Sequence, residues 1–148
     1  MRFLLLFLLT TLLLTACSTK KQSTNTNQPK TTDCKEMIML EKPADSLRID
    51  FYDIDSLNII DQCLEILVNY GGGCGEANFD LYYTNQVLES IPPQTVLHLA
   101  FEDNDPCRSI VQKKLTFSLE PFKRFADRGG IYFKIDGTEK SVLYQIPK

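Results

Sequence analysis

Tyr70-Gly71-Gly72-Gly73-Cys74-Gly75 is the stretch that decides how this chain folds. It ends one apolar run, residues 63–70, and precedes another, residues 78–84. Because glycine adopts positive φ without steric cost, the stretch predicts a turn between two strands. A phosphate-binding loop is a poorer match, since it needs a following Gly-Lys-Ser/Thr and a helix. Because Cys74 lies among glycines in this flexible turn, we expect a disulfide to fix its position.

Around this turn, apolar and polar residues alternate in seven short segments, as they do in strands with one buried face. The apolar sets are Leu47, Ile49 and Phe51; Leu64, Ile66, Val68 and Tyr70; Phe79, Leu81 and Tyr83; Leu97, Leu99 and Phe101; Leu115, Phe117 and Leu119; Ile131, Phe133 and Ile135; Val142, Tyr144 and Ile146. The pattern predicts an all-β fold, an antiparallel β-sandwich or partly open barrel of about seven strands, stapled by disulfides.

Two segments interrupt the strand pattern. Residues 55–60 are expected to form a single helical turn. Residues 121–128 begin with Pro121 and are followed by Gly129-Gly130, which predicts a short helix.

The N-terminus is typical of an export signal, with Arg2 preceding an apolar block that is too short to span a bilayer. Leu14-Thr15-Ala16-Cys17 resembles the lipobox of bacterial lipoproteins. The resemblance implies removal of residues 1–16, diacylglycerol on the Cys17 thiol, and acylation of the new amino terminus with a fatty acid such as palmitate. Several acyl chains give stable membrane attachment. The alternative is an ordinary secretory signal with a chance cysteine.

Residues 17–33 contain no large apolar side chain, so we interpret them as the lipidated cysteine and a disordered tether. Such a coil spans on the order of 20 Å. Residues 34–148 then form the β-sandwich domain. Residues 34–148 carry 12 basic and 18 acidic residues, a net charge of −6, and this acidic balance argues against a nucleic-acid partner.

Charge is unevenly distributed along the domain. Residues 34–105 carry 3 basic and 14 acidic residues, whereas residues 106–148 carry 9 basic and 4 acidic residues. Either the two parts form mutually attracting faces of one domain, or one of them binds a charged partner.

Four cysteines remain after Cys17, and an even number in an exported domain indicates two disulfides. Three pairings are open. We favour Cys74–Cys107, because each lies in a loop beside Gly or Pro, which leaves Cys34–Cys63. A zinc site is a poorer interpretation, since the chain has one histidine and no Cys-x-x-Cys pair.

Glu102, Asp103 and Asp105 are weaker candidates, either for a calcium site or for catalytic acids. Their spacing is not that of an EF-hand, and a solvated turn is the simpler interpretation. His98, the one histidine, is expected to be a satisfied sheet residue. No catalytic residue and no cofactor are predicted.

Several motifs together resemble small uncharacterised lipoproteins of Bacteroidetes-type bacteria. They are residues 70–75, Asp105-Pro106-Cys107, and Leu115-Thr116-Phe117-Ser118-Leu119-Glu120-Pro121. Members often have histidine after the glycine run, where this chain has Glu76-Ala77. Ser18 after the lipid cysteine resembles the outer-membrane sorting signal, which implies the outer membrane, at its periplasmic face.

The sequence therefore favours a membrane-anchored lipoprotein that acts as a binding or interaction module in the cell envelope, with a protein or glycan partner. An envelope hydrolase or a calcium-binding domain that uses residues 102–105 is the alternative.

Overall fold

The computed structural model describes residues 33–146. The Cys17 anchor and the tether fall outside these residues, apart from Asp33. Eight strands form: β1 (Ile38–Met39), β2 (Tyr52–Ile60), β3 (Cys63–Gly72), β4 (Ala77–Tyr83), β5 (Gln94–Asp103), β6 (Ser109–Ser118), β7 (Ile131–Ile135) and β8 (Ser141–Tyr144). Short 3₁₀ helices span Ala44–Ser46 and Glu120–Phe122, and α1 spans Lys123–Ala126. Within the described residues, no helix is long and apolar enough to cross a membrane.

The strands form two sheets, in the orders β2-β3-β6 and β1-β4-β5-β7-β8. The prediction of an all-β sandwich is confirmed, and the sheets do not close into a barrel. The three-stranded sheet is antiparallel. The five-stranded sheet is mixed, because β1 pairs with β4 in parallel and β5 pairs with β7 in parallel.

The inward faces of both sheets share one hydrophobic core. In β3, the alternating residues Leu64, Ile66, Val68 and Tyr70 are all buried. Tyr70 meets the ring of Phe101 from the other sheet edge-on, with 5.2 Å between centroids. Such pairs add specific geometry to the apolar burial that drives folding.

The prediction for residues 47–60 is wrong in two respects. Residues 47–51 are not one of the named strands: Ile49 makes only an isolated bridge to Phe101. The expected helical turn at residues 55–60 lies inside β2. A bulge between Ile54 and Ser56 breaks the alternation, so that Ile54 and Leu57 both contact the core. This three-residue spacing imitates a helical period.

The short helix predicted near residues 121–128 is confirmed as the 3₁₀ turn followed by α1. Gly130 has φ +97°, and a Cβ there would lie 2.8 Å from the Tyr144 carbonyl oxygen. Glycine is therefore required where the chain leaves α1 and begins β7.

Two connections cross between the sheets at the same end of the sandwich. Residues 73–76 join β3 to β4, and residues 104–108 join β5 to β6. We call this the arch end. β3 begins with Cys63 at the opposite end, the Cys63 end, where β4 and β6 finish and α1 lies. At the Cys63 end the ring of Phe122, which follows β6, packs on Tyr83 at the end of β4, with 5.4 Å between ring centroids.

Candidate functional site

The glycine stretch at the arch end is partly strand and partly turn. β3 continues through Gly72, so the turn is shorter than the sequence suggests. Gly73 has φ +119°, a backbone conformation that favours glycine. Gly75 is required for a different reason, since a Cβ there would lie 2.8 Å from the Asp105 Cα. The second crossing connection therefore packs directly against the first.

The carboxylate of Asp105 sits inside the turn. Its Oδ2 accepts N–H bonds from Gly73 at 2.6 Å, Cys74 at 3.0 Å and Gly75 at 2.8 Å. Its Oδ1 accepts the N–H of Cys107 at 2.8 Å. Successive backbone amides that point into one concavity form an anion-binding nest. Here the anion in the nest is the protein's own side chain.

Asp105 is only 4% exposed, yet it is ionised in the folded state. Burial raises the pKa of its carboxyl, but the backbone N–H donors of Cys107, Gly75, Cys74 and Gly73 outweigh that effect and lower the pKa to about 2. The negative charge thereby contributes to holding both crossing connections in place.

Both disulfides that the sequence favours are present. Cys74–Cys107 ties the two connections together, with 5.9 Å between Cα atoms. Cys34–Cys63 ties the start of the domain to the first residue of β3, with 6.1 Å between Cα atoms. The two bonds therefore bracket β3, one at each end.

Cys74, Asp105 and Cys107 present side-chain atoms within 4.8 Å of one another, a spacing that could suit a metal. The donor set does not fit one in this state, because both sulfurs are in a disulfide. A metal needs the thiolate. The Asp105 oxygens are already occupied by amides.

The acidic candidates do not converge. The Glu102 carboxylate pairs with Arg48 at 3.0 Å. Asp103 accepts the N–H of Asp105 at 2.8 Å and faces Arg108 at 3.4 Å. Each of the three carboxylates, including Asp105, has separate partners. This arrangement does not support the hydrolase or calcium alternative, since both need several groups directed at one point.

His98 lies against Asp136, with 3.1 Å between Nδ1 and Oδ2, and its side chain is 12% exposed. It is a satisfied sheet residue, as the sequence predicts, and its Asp136 partner was not predicted.

Sequence reasoning missed an exposed apolar pair on the outer face of the three-stranded sheet. Gly71 pairs with Ile110, and Phe51, the residue before β2, lines the same surface depression as Gly71. Phe51 and Ile110 are each 87% exposed. Phe51 was expected to be a core residue, because it alternates with Leu47 and Ile49. Nothing in the sequence pattern predicted that Ile110 would be exposed.

Two arginines lie beside Phe51 and Gly71. Arg108 donates to the carbonyl oxygens of Asp105 at 2.9 Å and Cys107 at 3.0 Å. Arg48 pairs with Asp50 at 3.0 Å. With Phe51, Gly71 and Asp103, they line a shallow depression of about 460 Å³. We call Phe51, Ile110, Arg48 and Arg108 the corner patch.

Asp50 connects the corner patch to β5. Its carboxylate accepts the N–H of Asp103 at 2.8 Å. That backbone bond lowers the pKa of Asp50, and Arg48 adds to the effect, against a smaller contribution from burial. The segment that carries Phe51 is thus held by charge-assisted contacts.

No family model matches this chain, and no curated protein matches it. Three solved structures are similar in fold. One is a protein of unknown function DUF1344 from Bacteroides vulgatus, with TM-score 0.54, 17% identity, and coverage of 78% of this chain and 57% of that one. A NigD-like immunity protein from Bacteroides caccae has TM-score 0.50, 16% identity, and coverage of 74% and 57%.

A putative toxin related protein from Parabacteroides distasonis has TM-score 0.50, 17% identity, and coverage of 76% and 61%. The chain therefore spans about three fifths of the length of these neighbours. At such identities the similarity concerns the fold. All three neighbours come from Bacteroidetes, which agrees with the resemblance to uncharacterised proteins of that group.

Proposed function

We propose that this chain is a lipoprotein of the bacterial envelope that binds a protein partner through the corner patch at its arch end. The observation that carries the proposal is the exposure of Phe51 and Ile110 on a surface whose supporting loops are rigidly held. Lipid attachment at Cys17 and an outer-membrane location are parts of the same proposal, supported by residues 14–18 alone.

The corner patch has the chemistry of a protein-binding surface. Aromatic and arginine side chains are enriched among residues that dominate binding energy, and large exposed apolar side chains in contact with charged ones are typical of interfaces. The gap over Gly71, between Phe51 and Ile110, would admit an apolar side chain of the partner. A glycan partner is less favoured, since one exposed ring offers little stacking surface.

Rigidity at the arch end would favour affinity. Binding costs free energy whenever loops and side chains must become ordered. Here the Cys74–Cys107 disulfide and the Asp105 nest fix the two crossing connections before any partner arrives. The names of two structural neighbours, an immunity protein and a toxin related protein, are compatible with a role in interaction.

Site-specific photo-crosslinking in intact cells tests the binding surface. A photoreactive residue in place of Phe51 or Ile110 is expected to give the same protein adduct. Asn58, exposed on the same strand pair away from the patch, is the matched control. Adducts at all three positions, or at none, would contradict the proposed surface.

Membrane fractionation tests the anchor separately. We expect the chain in the membrane pellet and the Cys17→Ala variant outside it. A variant that stays in the pellet would contradict lipid attachment at Cys17 and leave the corner patch untouched.

A further inference from the structure

Exposed large apolar side chains are concentrated at the two ends of the sandwich. Among the described residues, three lie toward the arch end, namely Ile49, Phe51 and Ile110, and six lie toward the Cys63 end. The six are Ile38, Met39, Ile60, Leu88, Ile91 and Ile146. β1 and β8 are opposite edges of the five-stranded sheet, so the six do not form one patch. Leu88 and Ile91 do line one surface, and contiguous exposed apolar patches mark interaction or membrane sites.

The placement of these six follows from strand pairing. Ile60 pairs with Cys63, while Ile38 and Met39 pair with Tyr82 and Tyr83, the last two residues of β4. The Ile146 N–H donates to the carbonyl oxygen of Ala126 in α1 at 3.4 Å. The remaining two lie on the loop from residue 84 to residue 93, which joins β4 to β5 at this end.

That loop presents its apolar side chains outward. Ile91 is fully exposed and Leu88 is 61% exposed. They line an open, mostly apolar groove together with Val87, Pro93 and Phe125 of α1 and the polar residues Glu89 and Ser90. The guanidinium of Arg124 lies 4.8 Å from the Phe125 ring centroid, so a cation borders the groove. Aliphatic side chains beside arginine are typical of surfaces that sit at the headgroup level of a bilayer.

We propose that the Cys63 end rests on the lipid surface that anchors the chain, with Leu88 and Ile91 entering the headgroup region. This inference rests on the lipid attachment of the proposed function. Cys34 is the first residue after the predicted tether, and its disulfide to Cys63 brings the chain in at this end. The tether that the sequence predicts would span on the order of 20 Å, and a tether of that length would keep this end near the membrane.

The same orientation turns the arch end outward. β3 has ten residues, so the corner patch lies on the order of 30 Å along the strand from Cys63. A partner in the periplasm would then reach the patch without meeting the membrane.

Tryptophan fluorescence can test this orientation, because the chain contains no tryptophan. The Ile91→Trp and Ile110→Trp variants each carry one reporter at a highly exposed position, at opposite ends. Each full chain is extracted from membranes and reconstituted in vesicles of phosphatidylethanolamine and phosphatidylglycerol, with and without brominated acyl chains. We expect blue-shifted emission and bromine quenching at position 91, and neither at position 110.

The outcomes separate the two proposals. A chain absent from the membrane pellet before extraction refutes the anchor, and the orientation with it. A chain in the pellet whose position 91 is not quenched refutes the membrane contact and leaves the anchor standing. Equal quenching at positions 91 and 110 refutes the orientation.

Discussion

The arch end and the Cys63 end close the same sandwich by different means. At the arch end, a buried carboxylate and a disulfide fix two crossing connections, and the polar groups are satisfied internally. At the Cys63 end, a disulfide, aromatic packing around Phe122 and a long loop complete the fold, and apolar side chains remain exposed. The comparison indicates that polar contacts fix the arch end, whereas apolar packing closes the Cys63 end.

Truncating a core side chain should cost a similar free energy of unfolding at either end of the sandwich. Phe117 near the Cys63 end and Phe101 near the arch end are each 1% exposed. We expect Phe117→Ala and Phe101→Ala each to lower the free energy of unfolding by about 3–5 kcal/mol, because each leaves a cavity. Urea denaturation measures both. A near-unchanged midpoint for either would show that its side chain is not part of the shared core.

The two disulfides should contribute similarly to the free energy of unfolding, but each should protect the backbone amides at its own end of the sandwich. They close loops with sequence separations of 29 and 33 residues. Replacing either pair with alanine should cost about 3.5 kcal/mol in the chain-entropy description.

After loss of Cys74–Cys107, the amides of residues 73–75 should keep part of their protection from hydrogen exchange, because Asp105 still accepts their bonds. Complete loss of that protection would show that the nest depends on the disulfide.

Acid should weaken the arch end first. The pKa of Asp105 is about 2 in the folded chain, below its usual value, so its stabilising effect is fully present above about pH 4. It is lost as the pH falls toward 2. The wild type should therefore be more stable than Asp105→Asn at pH 6, and the difference should shrink between pH 4 and pH 2. A difference that stays constant over this range would contradict the ionised nest.

Two glycines of the opening stretch should respond differently to alanine. A Cβ at Gly75 would press on the backbone of Asp105, whereas at Gly71 it would meet only the Arg108 side chain, at 3.8 Å. We expect Gly75→Ala to cost about 1–3 kcal/mol and Gly71→Ala to fall within about 0.5 kcal/mol. Thermal melts of the two variants provide the comparison. Equal costs would mean that the backbone at Asp105 can move to make room for a Cβ at Gly75.

Strand periodicity predicts β3, β4, β5 and β7 well, because each of these strands buries one face. It finds only the second half of β6, and it assigns Ile146 to an inward face although that side chain lies beyond β8 and is exposed. It fails in β2, where the bulge at Asp55 shifts the inward set. It also misassigns Phe51, since alternation cannot tell a buried face from an exposed one at the margin of a sheet. The short helix follows from Pro121 and Gly129-Gly130, which are local signals.

The candidate site is harder to read from the sequence. Three of the four amides that Asp105 binds lie about 30 residues away in the sequence, so the pattern around residues 102–105 does not show that Asp105 fills the nest. Only its bond from the Cys107 N–H is local. The cysteines did indicate that the two connections meet, through the favoured Cys74–Cys107 pair. The separation of exposed apolar residues between the ends depends on topology, which periodicity alone does not determine.

Hydrogen exchange of the Gly73, Cys74, Gly75 and Cys107 amides, followed by NMR in the wild type and in Asp105→Asn, tests most directly whether a carboxylate holds the arch end rigid. We predict that the four wild-type amides exchange as slowly as those of central β3, and that all four become fast together in the variant. Fast exchange of these amides in the wild type, at the rate of an open loop, would contradict the account.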